Sequence, residues 1–146
     1  MDRKCDRKYN FTEGGLPFVC GGVIGDPEPN DTLPKYCYKY DATLDEWAIS
    51  GTMPKARYSS GYDSSEIWGL IMAGGIGSFT MLPSVTTTDN GEVFGSLPHL
   101  PNINFTTGSE NPCVVIIDED RIFTCGGWQS DTDTLIFSNS TGTWSR

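Results

Sequence analysis

Cysteine is the residue type in this chain with the clearest capacity for chemistry. No Cys-x-x-Cys pair and no histidine cluster provides the ligand spacing of a zinc site. The single histidine, His99, lies in the loop 98–101, and no serine lies in a Gly-x-Ser-x-Gly motif. We therefore predict no catalytic residue, no metal ligand, no cofactor and no enzymatic activity. The cysteines that remain to be explained are Cys5, Cys20, Cys37, Cys113 and Cys125.

The charged and glycine-rich runs do not supply a catalytic or nucleotide site either. Asp45-Glu46 and Asp118-Glu119-Asp120 fall in predicted turns, where acidic side chains favour the turn and stay hydrated. Gly74-Gly75-Ile76-Gly77 lacks the Gly-Lys-Ser/Thr ending of a phosphate-binding loop. The net charge of −9 argues against nucleic acid and anionic lipid as partners. No apolar run approaches the roughly 20 residues that span a bilayer, so we predict no membrane insertion.

Cysteines and glycosylation sequons together favour an oxidising, extracellular location. Residues 1–10 contain no apolar segment of the kind that a signal peptide has. We therefore expect secretion to depend on residues upstream, and the alternative is a cytoplasmic chain. The four Asn-x-Ser/Thr sequons lie in predicted loops, at Asn10, Asn30, Asn104 and Asn139.

The elements that must position these residues follow a repeat. Three di-glycines, each at the end of a short apolar run, are spaced 53 and 52 residues apart, and an aromatic residue follows each of them. A period near 50 indicates a repeat architecture in which units stack side by side. The repeat positions are Gly21-Gly22, Gly74-Gly75 and Gly126-Gly127, with Trp47, Phe94 and Trp144.

Regular turn signals between short apolar runs predict an all-β chain with little or no helix. The three units span residues 1–50, 51–97 and 98–146, and each predicts a four-stranded meander. The predicted strands are 5–10 (weak), 16–20, 36–40 and 47–49 in the first unit, 58–63, 67–73, 82–87 and 93–97 in the second, and 112–117, 121–125, 134–137 and 143–144 in the third. The predicted first turn of the second unit is Ser64-Ser65-Glu66.

This pattern of apolar run, di-glycine, Tyr-Asp and Trp resembles the Kelch repeat. The first unit contains it as Val19-Cys20-Gly21-Gly22, Tyr40-Asp41 and Trp47, and Met53-Pro54-x-x-Arg57 leads into the second. The resemblance implies three four-stranded blades of a Kelch-type β-propeller. Closed propellers have about four to eight blades, so we expect a segment of a six- or seven-bladed one.

The other two units depart from the family pattern. The second has Val85 and Phe94 where the family prefers Tyr and Trp, and the third has Phe137 and Trp144 but no Arg in its lead-in. In all three units the fourth-strand aromatic is expected to fill the wedge between adjacent blades. Replacement of Trp47 by Ala should then cost roughly 3–5 kcal/mol.

Two cysteine pairings follow from the predicted strands. Cys20 and Cys37 lie in neighbouring strands of the first unit, and Cys113 and Cys125 face each other across the first hairpin of the third. Cys-Gly-Gly followed by Cys in the next strand also resembles secreted invertebrate Kelch-like proteins. The competing scheme pairs Cys5 with Cys20, and sequence alone does not decide between the two.

Propellers of the Kelch family usually present loops to other proteins, so the resemblance implies a non-enzymatic interaction scaffold. The long acidic loop 24–32, with Asp26, Glu28 and Asp31, is the predicted contact with an unknown protein partner. One alternative is an intracellular Kelch adaptor that recruits substrates to a ubiquitin ligase or binds actin. The other is a fragment of a secreted copper radical oxidase of the galactose oxidase type, which would need histidines and tyrosines beyond these residues.

Overall fold

The described structure consists of strands joined by turns and irregular loops. The computed structural model describes the backbone of residues 8–10 and all atoms of residues 17–22, 33–78, 80–101, 111–127 and 134–146. These ranges contain fourteen strands and no helix, which confirms the all-β prediction. Within the same ranges no helix is long and apolar enough to cross a membrane.

Twelve of the strands form three four-stranded antiparallel sheets, and in each sheet the strands pair in chain order. Sheet 1 contains β1 (Lys8–Asn10), β2 (Phe18–Cys20), β3 (Tyr36–Asp41) and β4 (Glu46–Thr52). Sheet 2 contains β5 (Gly61–Ser65), β6 (Gly69–Ala73), β9 (Val85–Thr88) and β10 (Gly95–Leu97), and between β6 and β9 the chain forms a small hairpin of β7 (Ile76–Gly77) and β8 (Thr80–Met81). Sheet 3 contains β11 (Cys113–Ile116), β12 (Arg121–Cys125), β13 (Thr134–Ser138) and β14 (Thr143–Ser145).

The residue before each di-glycine ends the second strand of its sheet and has the same register in all three sheets. It faces one residue of the first strand and one of the third. The three sets, from first to third strand, are Lys8/Cys20/Cys37, Gly61/Ala73/Val85 and Cys113/Cys125/Thr134. Positions in the three sheets can therefore be compared one by one.

Sheet 2 lies between sheets 1 and 3, and β6 is buried at all five of its residues. Because successive side chains of a strand point to opposite faces, β6 contributes to two clusters. Leu70 and Met72 pack with residues of sheet 1, whereas Ile71 and Ala73 pack with residues of sheet 3. The clusters are Phe18, Cys20, Cys37, Met53, Leu70 and Met72 on one side, and Ile71, Ala73, Val85, Leu100, Val114, Ile122, Leu135 and Phe137 on the other.

Glycine is needed where backbones approach closely between sheets. Gly21 has a φ of 67°, and a Cβ there would lie 2.7 Å from the carbonyl oxygen of Arg57. A Cβ on Gly61 would collide with the carbonyl oxygen of Pro112 and come within 2.7 Å of Val114. These contacts join sheet 1 to the lead-in of sheet 2, and β5 to β11.

The first turn of sheet 2 lies two residues later than predicted. β5 continues to Ser65, which pairs with Gly69, so Ser64 and Ser65 belong to the strand. The Trp68 amide donates to Ser65 Oγ at 3.1 Å and closes the turn, and Gly69 adopts a φ of 61°. The tight turn depends on this glycine. The requirement was not predicted, because Gly69 lies within the apolar run 67–73.

The residue of the second unit that corresponds to Tyr40 of the first was also predicted wrongly. By register, Tyr40 corresponds to Phe137 in sheet 3 and to Thr88 in sheet 2, not to Val85. Val85 corresponds instead to Cys37, the partner of the residue before the di-glycine.

The strand β12 agrees with the predicted bounds 121–125, because an apolar run between an acidic turn and a di-glycine leaves little freedom in its ends.

Candidate interaction surfaces

The di-glycines that define the predicted repeat lie at one end of the strands in each of the three sheets. Because the first two strands of each sheet are antiparallel, the start of the first strand lies beside the end of the second. Gly61 at the start of β5 therefore lies beside Ala73 and the di-glycine that follows it. We call this the di-glycine edge, defined by Gly21-Gly22, Gly74-Gly75 and Gly126-Gly127.

A concavity of about 320 Å³ opens at this edge between β5 and β11. Tyr62 and Cys113 are exposed within it, and the described residues that line it include no carboxylate, lysine, arginine or histidine. Its lining offers hydroxyl, amide and apolar contacts rather than acid–base chemistry. The lining residues are Ser60, Gly61, Tyr62, Asn111, Pro112, Cys113 and Val114.

Hydrogen bonds between sheets 2 and 3 hold the two walls of this concavity together. The Asn111 amide donates to the Ser59 carbonyl oxygen at 2.6 Å. Asp63 accepts from the Ile116 amide at 2.7 Å through one carboxylate oxygen and from the Ser64 amide at 2.8 Å through the other. A satisfied carboxylate between two sheets fixes their separation, so the concavity is a built feature of the edge.

Arg57 is the most deeply buried charge among the described residues, with 2% of its surface exposed. Its guanidinium donates to three carbonyl oxygens at 3.1–3.3 Å and to two hydroxyls at 2.9 Å, and it has no ion pair with a described carboxylate. Burial lowers the pKa of Arg57 to about 10, so the side chain stays charged at neutral pH. The five acceptors are Met72 O, Gly74 O, Ser84 O, Ser84 Oγ and Thr86 Oγ1.

The same residue joins two sheets at the di-glycine edge. The Arg57 carbonyl oxygen accepts from the Gly22 amide at 3.1 Å, while its side chain is bound to the strands of sheet 2. From the sequence, Arg57 was identified only as part of the Kelch-like lead-in, and no role was predicted for it. An arginine four residues before a strand is a weak signal, because burial of a cation without a carboxylate is rare.

The cysteines occupy two equivalent but chemically different positions. Cys20 and Cys37 are directly opposite in register, with their Cα atoms 4.1 Å apart, and form a disulfide within sheet 1. Cys113 and Cys125 are also directly opposite but are free thiols, so the second predicted bridge is not formed. Burial, with the neighbouring Cys113 thiol as a smaller contribution, raises the pKa of Cys125. Cys5 lies outside the described residues, but the competing scheme, which pairs Cys5 with Cys20 and leaves Cys37 free, is wrong because Cys20 is bonded to Cys37.

The predicted contact loop and two of the four sequons lie outside the described part of the chain. Asp26, Glu28 and Asp31 are not among the described residues. Asn30 and Asn104 are also outside. Asn139 is exposed in the β13–β14 turn, as predicted for a sequon. Asn10 is the last residue of β1 and not a loop residue, because its predicted loop is part of the ladder with β2.

The acidic turns are held by local hydrogen bonds. Asp118 accepts from the Arg121 guanidinium at 2.6 Å, and this contact is the main cause of its lowered pKa. The pKa of Asp120 is lowered chiefly by the Ser140 amide. Asp45 lies in the β3–β4 turn and accepts from the Tyr40 hydroxyl, while Glu46 already belongs to β4. No group of three or more metal-ligating side chains occurs among the described residues, and His99 is exposed.

The three repeat aromatics do not share one environment. Phe94 packs against the cluster between sheets 1 and 2, and Trp144 packs against the one between sheets 2 and 3. Trp47 is 47% exposed, which corrects the expectation that it fills a wedge between sheets. It lies on the face of sheet 1 that points away from sheet 2, where Tyr40 is its aromatic neighbour.

Comparison with protein-family models and with curated proteins finds no match to this sequence. The resemblance to the Kelch repeat therefore rests on the residues of the chain itself. A function is therefore inferred from the register of the strands, the di-glycines and the stacking of the sheets.

Proposed function

We propose that this chain is a three-blade segment of a Kelch-type β-propeller that acts as a non-enzymatic, extracellular scaffold for a protein partner. The observation that carries the proposal is the repeated register of three four-stranded sheets that stack face to face. In such a stack the sheets form a rigid core, and contacts with other molecules fall to the loops at the strand ends. Six or seven blades would complete the ring, with the missing blades contributed either by further residues of the same polypeptide or by a second copy of the chain.

The di-glycine edge is the binding side in this proposal. It contains the concavity between β5 and β11, and the acidic residues Asp26, Glu28 and Asp31 follow Gly22 in the sequence. The buried Arg57 guanidinium stiffens this edge by tying β6 and β9 together. Ordering costs on binding are smaller for a preorganised surface, so a rigid edge suits recognition.

The disulfide between Cys20 and Cys37 supports the extracellular location, because structural disulfides persist in oxidising compartments. Glycan occupancy at Asn139 tests this location. Protein secreted from eukaryotic cells should lose mass at that site on treatment with a peptide N-glycosidase, and Asn139→Gln should remove the shift. A chain that stays inside the cells with Asn139 unmodified would count against the extracellular proposal.

Binding is tested by capture of a partner from extracellular fluid with the purified chain, followed by measurement of the affinity for that partner. The triple variant Asp26→Ala, Glu28→Ala, Asp31→Ala should bind at least about tenfold more weakly, since three acidic contacts at a polar rim are together worth more than 1.4 kcal/mol. Unchanged affinity would remove this loop from the interface. Absence of any saturable protein partner would refute the scaffold proposal.

The matched control removes three acidic residues from the opposite edge. Glu46, Glu66 and Asp89 are all exposed and lie at strand ends away from the di-glycines, at the β3–β4, β5–β6 and β9–β10 turns. Their replacement by Ala changes the net charge by the same three units. Affinity should stay at the wild-type value if the loop acts by contact and should fall equally if only overall charge matters.

A second candidate, the intracellular Kelch adaptor, is favoured by one observation. Cys113 and Cys125 face each other in register and remain thiols, which suits a reducing compartment. The glycan test at Asn139 separates the two candidates, because an intracellular chain carries no N-linked glycan.

A further inference from the structure

No other described element covers one face of sheet 1, and this face is rich in aromatic residues. In β3 the buried Cys37 points towards sheet 2, and the residues on either side of it point the other way and are exposed. Their partners in β4 share that face by register. Face 1 is the set Tyr36, Tyr38, Tyr40, Trp47 and Ile49, of which four are exposed by 37–59%.

The same aromatic arrangement is covered elsewhere in the chain. Tyr40 and Trp47 face each other across β3 and β4, with ring centroids 5.3 Å apart at 49°. Phe137 and Trp144 occupy the corresponding positions in sheet 3, with centroids 5.3 Å apart at 52°. One sequence pattern therefore forms one geometry in two sheets, of which only the second is covered.

The structure also specifies what covers such a pair. Phe137 is 2% exposed because it packs on the face of sheet 2 that contains Ile71, Ala73 and Val85. The Trp144 indole donates to the Pro98 carbonyl oxygen at 2.9 Å. The cover is thus the far face of the preceding sheet, and Phe94, directly before β10, packs against the cluster between sheets 1 and 2.

Sheet 3 presents a far face of this kind that none of the other described strands covers. By register, Phe123 and Cys125 correspond to Ile71 and Ala73 of sheet 2. Val115 faces Phe123 and is 42% exposed, and Cys113 beside it is exposed as well. Face 3 is the set Cys113, Val115, Phe123, Cys125 and Ile136.

From these matching surfaces we infer that face 3 of one copy of the chain packs on face 1 of a second copy. Face 3 of the second copy then packs on face 1 of the first, and the two copies close a ring of six sheets. The inference rests on the proposed propeller arrangement, because it repeats between copies the contact that joins the sheets within one copy. Two identical head-to-tail contacts related by a twofold axis close on themselves and leave neither face exposed. Apolar burial drives the contact against the repulsion of two chains of charge −9, so added salt should strengthen it.

The test is sedimentation velocity of the 146-residue chain from 1 to 100 µM at two salt concentrations. We expect a species of about 32 kDa, twice the 16.0 kDa mass of the chain, whose population rises with concentration and with salt. A folded wild-type chain that stays monomeric at the highest concentration overturns the inference.

Matched variants locate the contact. Ile49→Lys on face 1 and Val115→Lys on face 3 should each weaken self-association at least about 30-fold, the effect of losing a buried contact worth some 2 kcal/mol. The control is Ile67→Lys, which alters a residue 67% exposed in the β5–β6 turn and should leave the dimer intact. Far-UV circular dichroism shows that each variant is folded. Loss of association only in Ile49→Lys would indicate face 1 packing on itself and would overturn the inference.

Mixing the two variants provides an independent check. Ile49→Lys retains face 3 and Val115→Lys retains face 1, so an equimolar mixture should form a 1:1 complex through one intact contact. Absence of this complex overturns the head-to-tail arrangement. A monomeric chain that still captures its protein partner refutes only this inference, whereas loss of partner capture in a dimeric chain refutes only the proposed function.

Discussion

Replacement of Arg57 by methionine should destabilise the chain by about 3 kcal/mol, although it removes a buried charge. Five acceptor atoms lose their donor. Ser84 O keeps the bond from the Gly74 amide at 3.2 Å, and the two hydroxyls can rotate towards other acceptors. The carbonyl oxygens of Met72 and Gly74 lose a charged donor in a dry environment, at about 1–3 kcal/mol each.

The lysine variant separates the charge from the hydrogen bonds. An ammonium group has three donors and no planar fork, so Arg57→Lys keeps the charge but reaches fewer of the five acceptors. We expect it to be intermediate, at about 2 kcal/mol below wild type. Urea unfolding followed by tryptophan fluorescence, with the disulfide intact, measures each free energy of unfolding, and the methionine variant should melt roughly 10 °C lower.

The control is Lys55→Met, which removes an exposed cation two residues away and should change stability by less than about 0.5 kcal/mol. The reasoning fails if Arg57→Met is as stable as wild type or more so. That result would mean that the cost of burying the charge, which lowers the pKa of Arg57 to about 10, exceeds the value of its hydrogen bonds.

Three further predictions concern other parts of the chain. Below the concentration of self-association, Trp144→Ala should cost about 2–3 kcal/mol and Trp47→Ala less than about 1, because only the first is packed between sheets; similar costs in urea unfolding would contradict this. Replacement of both Cys20 and Cys37 by Ala should cost about 3 kcal/mol, as expected for a bridge between residues 17 apart, and reducing agent should then have no further effect on the melting temperature. The pKa of Asp118 is lowered in the folded chain, so its contribution is present above the unfolded pKa of about 3.9 and is lost as the pH falls through the folded value. Asp118→Asn should melt below wild type at pH 6, and this difference should shrink below about pH 4; a constant difference would exclude the carboxylate as its source.

The features predictable from the sequence are those set by neighbouring residues. β12 follows from an apolar run closed by a di-glycine, and the facing positions of Cys20 and Cys37 follow from two adjacent strands. Thr88 was not predicted as the counterpart of Tyr40, because this correspondence depends on the register counted from the di-glycine. A threonine also lacks the aromatic ring that marks the position in the other two sheets.

Features that depend on packing between sheets were not predictable in the same way. Trp47 and Trp144 occupy equivalent positions, so nothing local tells them apart, and their exposure depends on whether a sheet precedes them. The role of Arg57 depends on carbonyl oxygens 15 to 27 residues later in the chain. The concavity between β5 and β11 likewise requires two units to meet, and no single unit predicts it.

The disulfide within sheet 1 has a mechanical consequence. When the chain is stretched from its ends, tension passes directly from Cys20 to Cys37 through the sulfur atoms and bypasses the 16 residues between them. The acidic loop lies inside that segment and would bear no load. At about 3.5 Å per residue, reduction should lengthen the fully extended chain by roughly 60 Å. Optical-tweezer traces recorded with and without reductant measure this difference, and an equal extension in both would mean that the bond does not shield the loop from force.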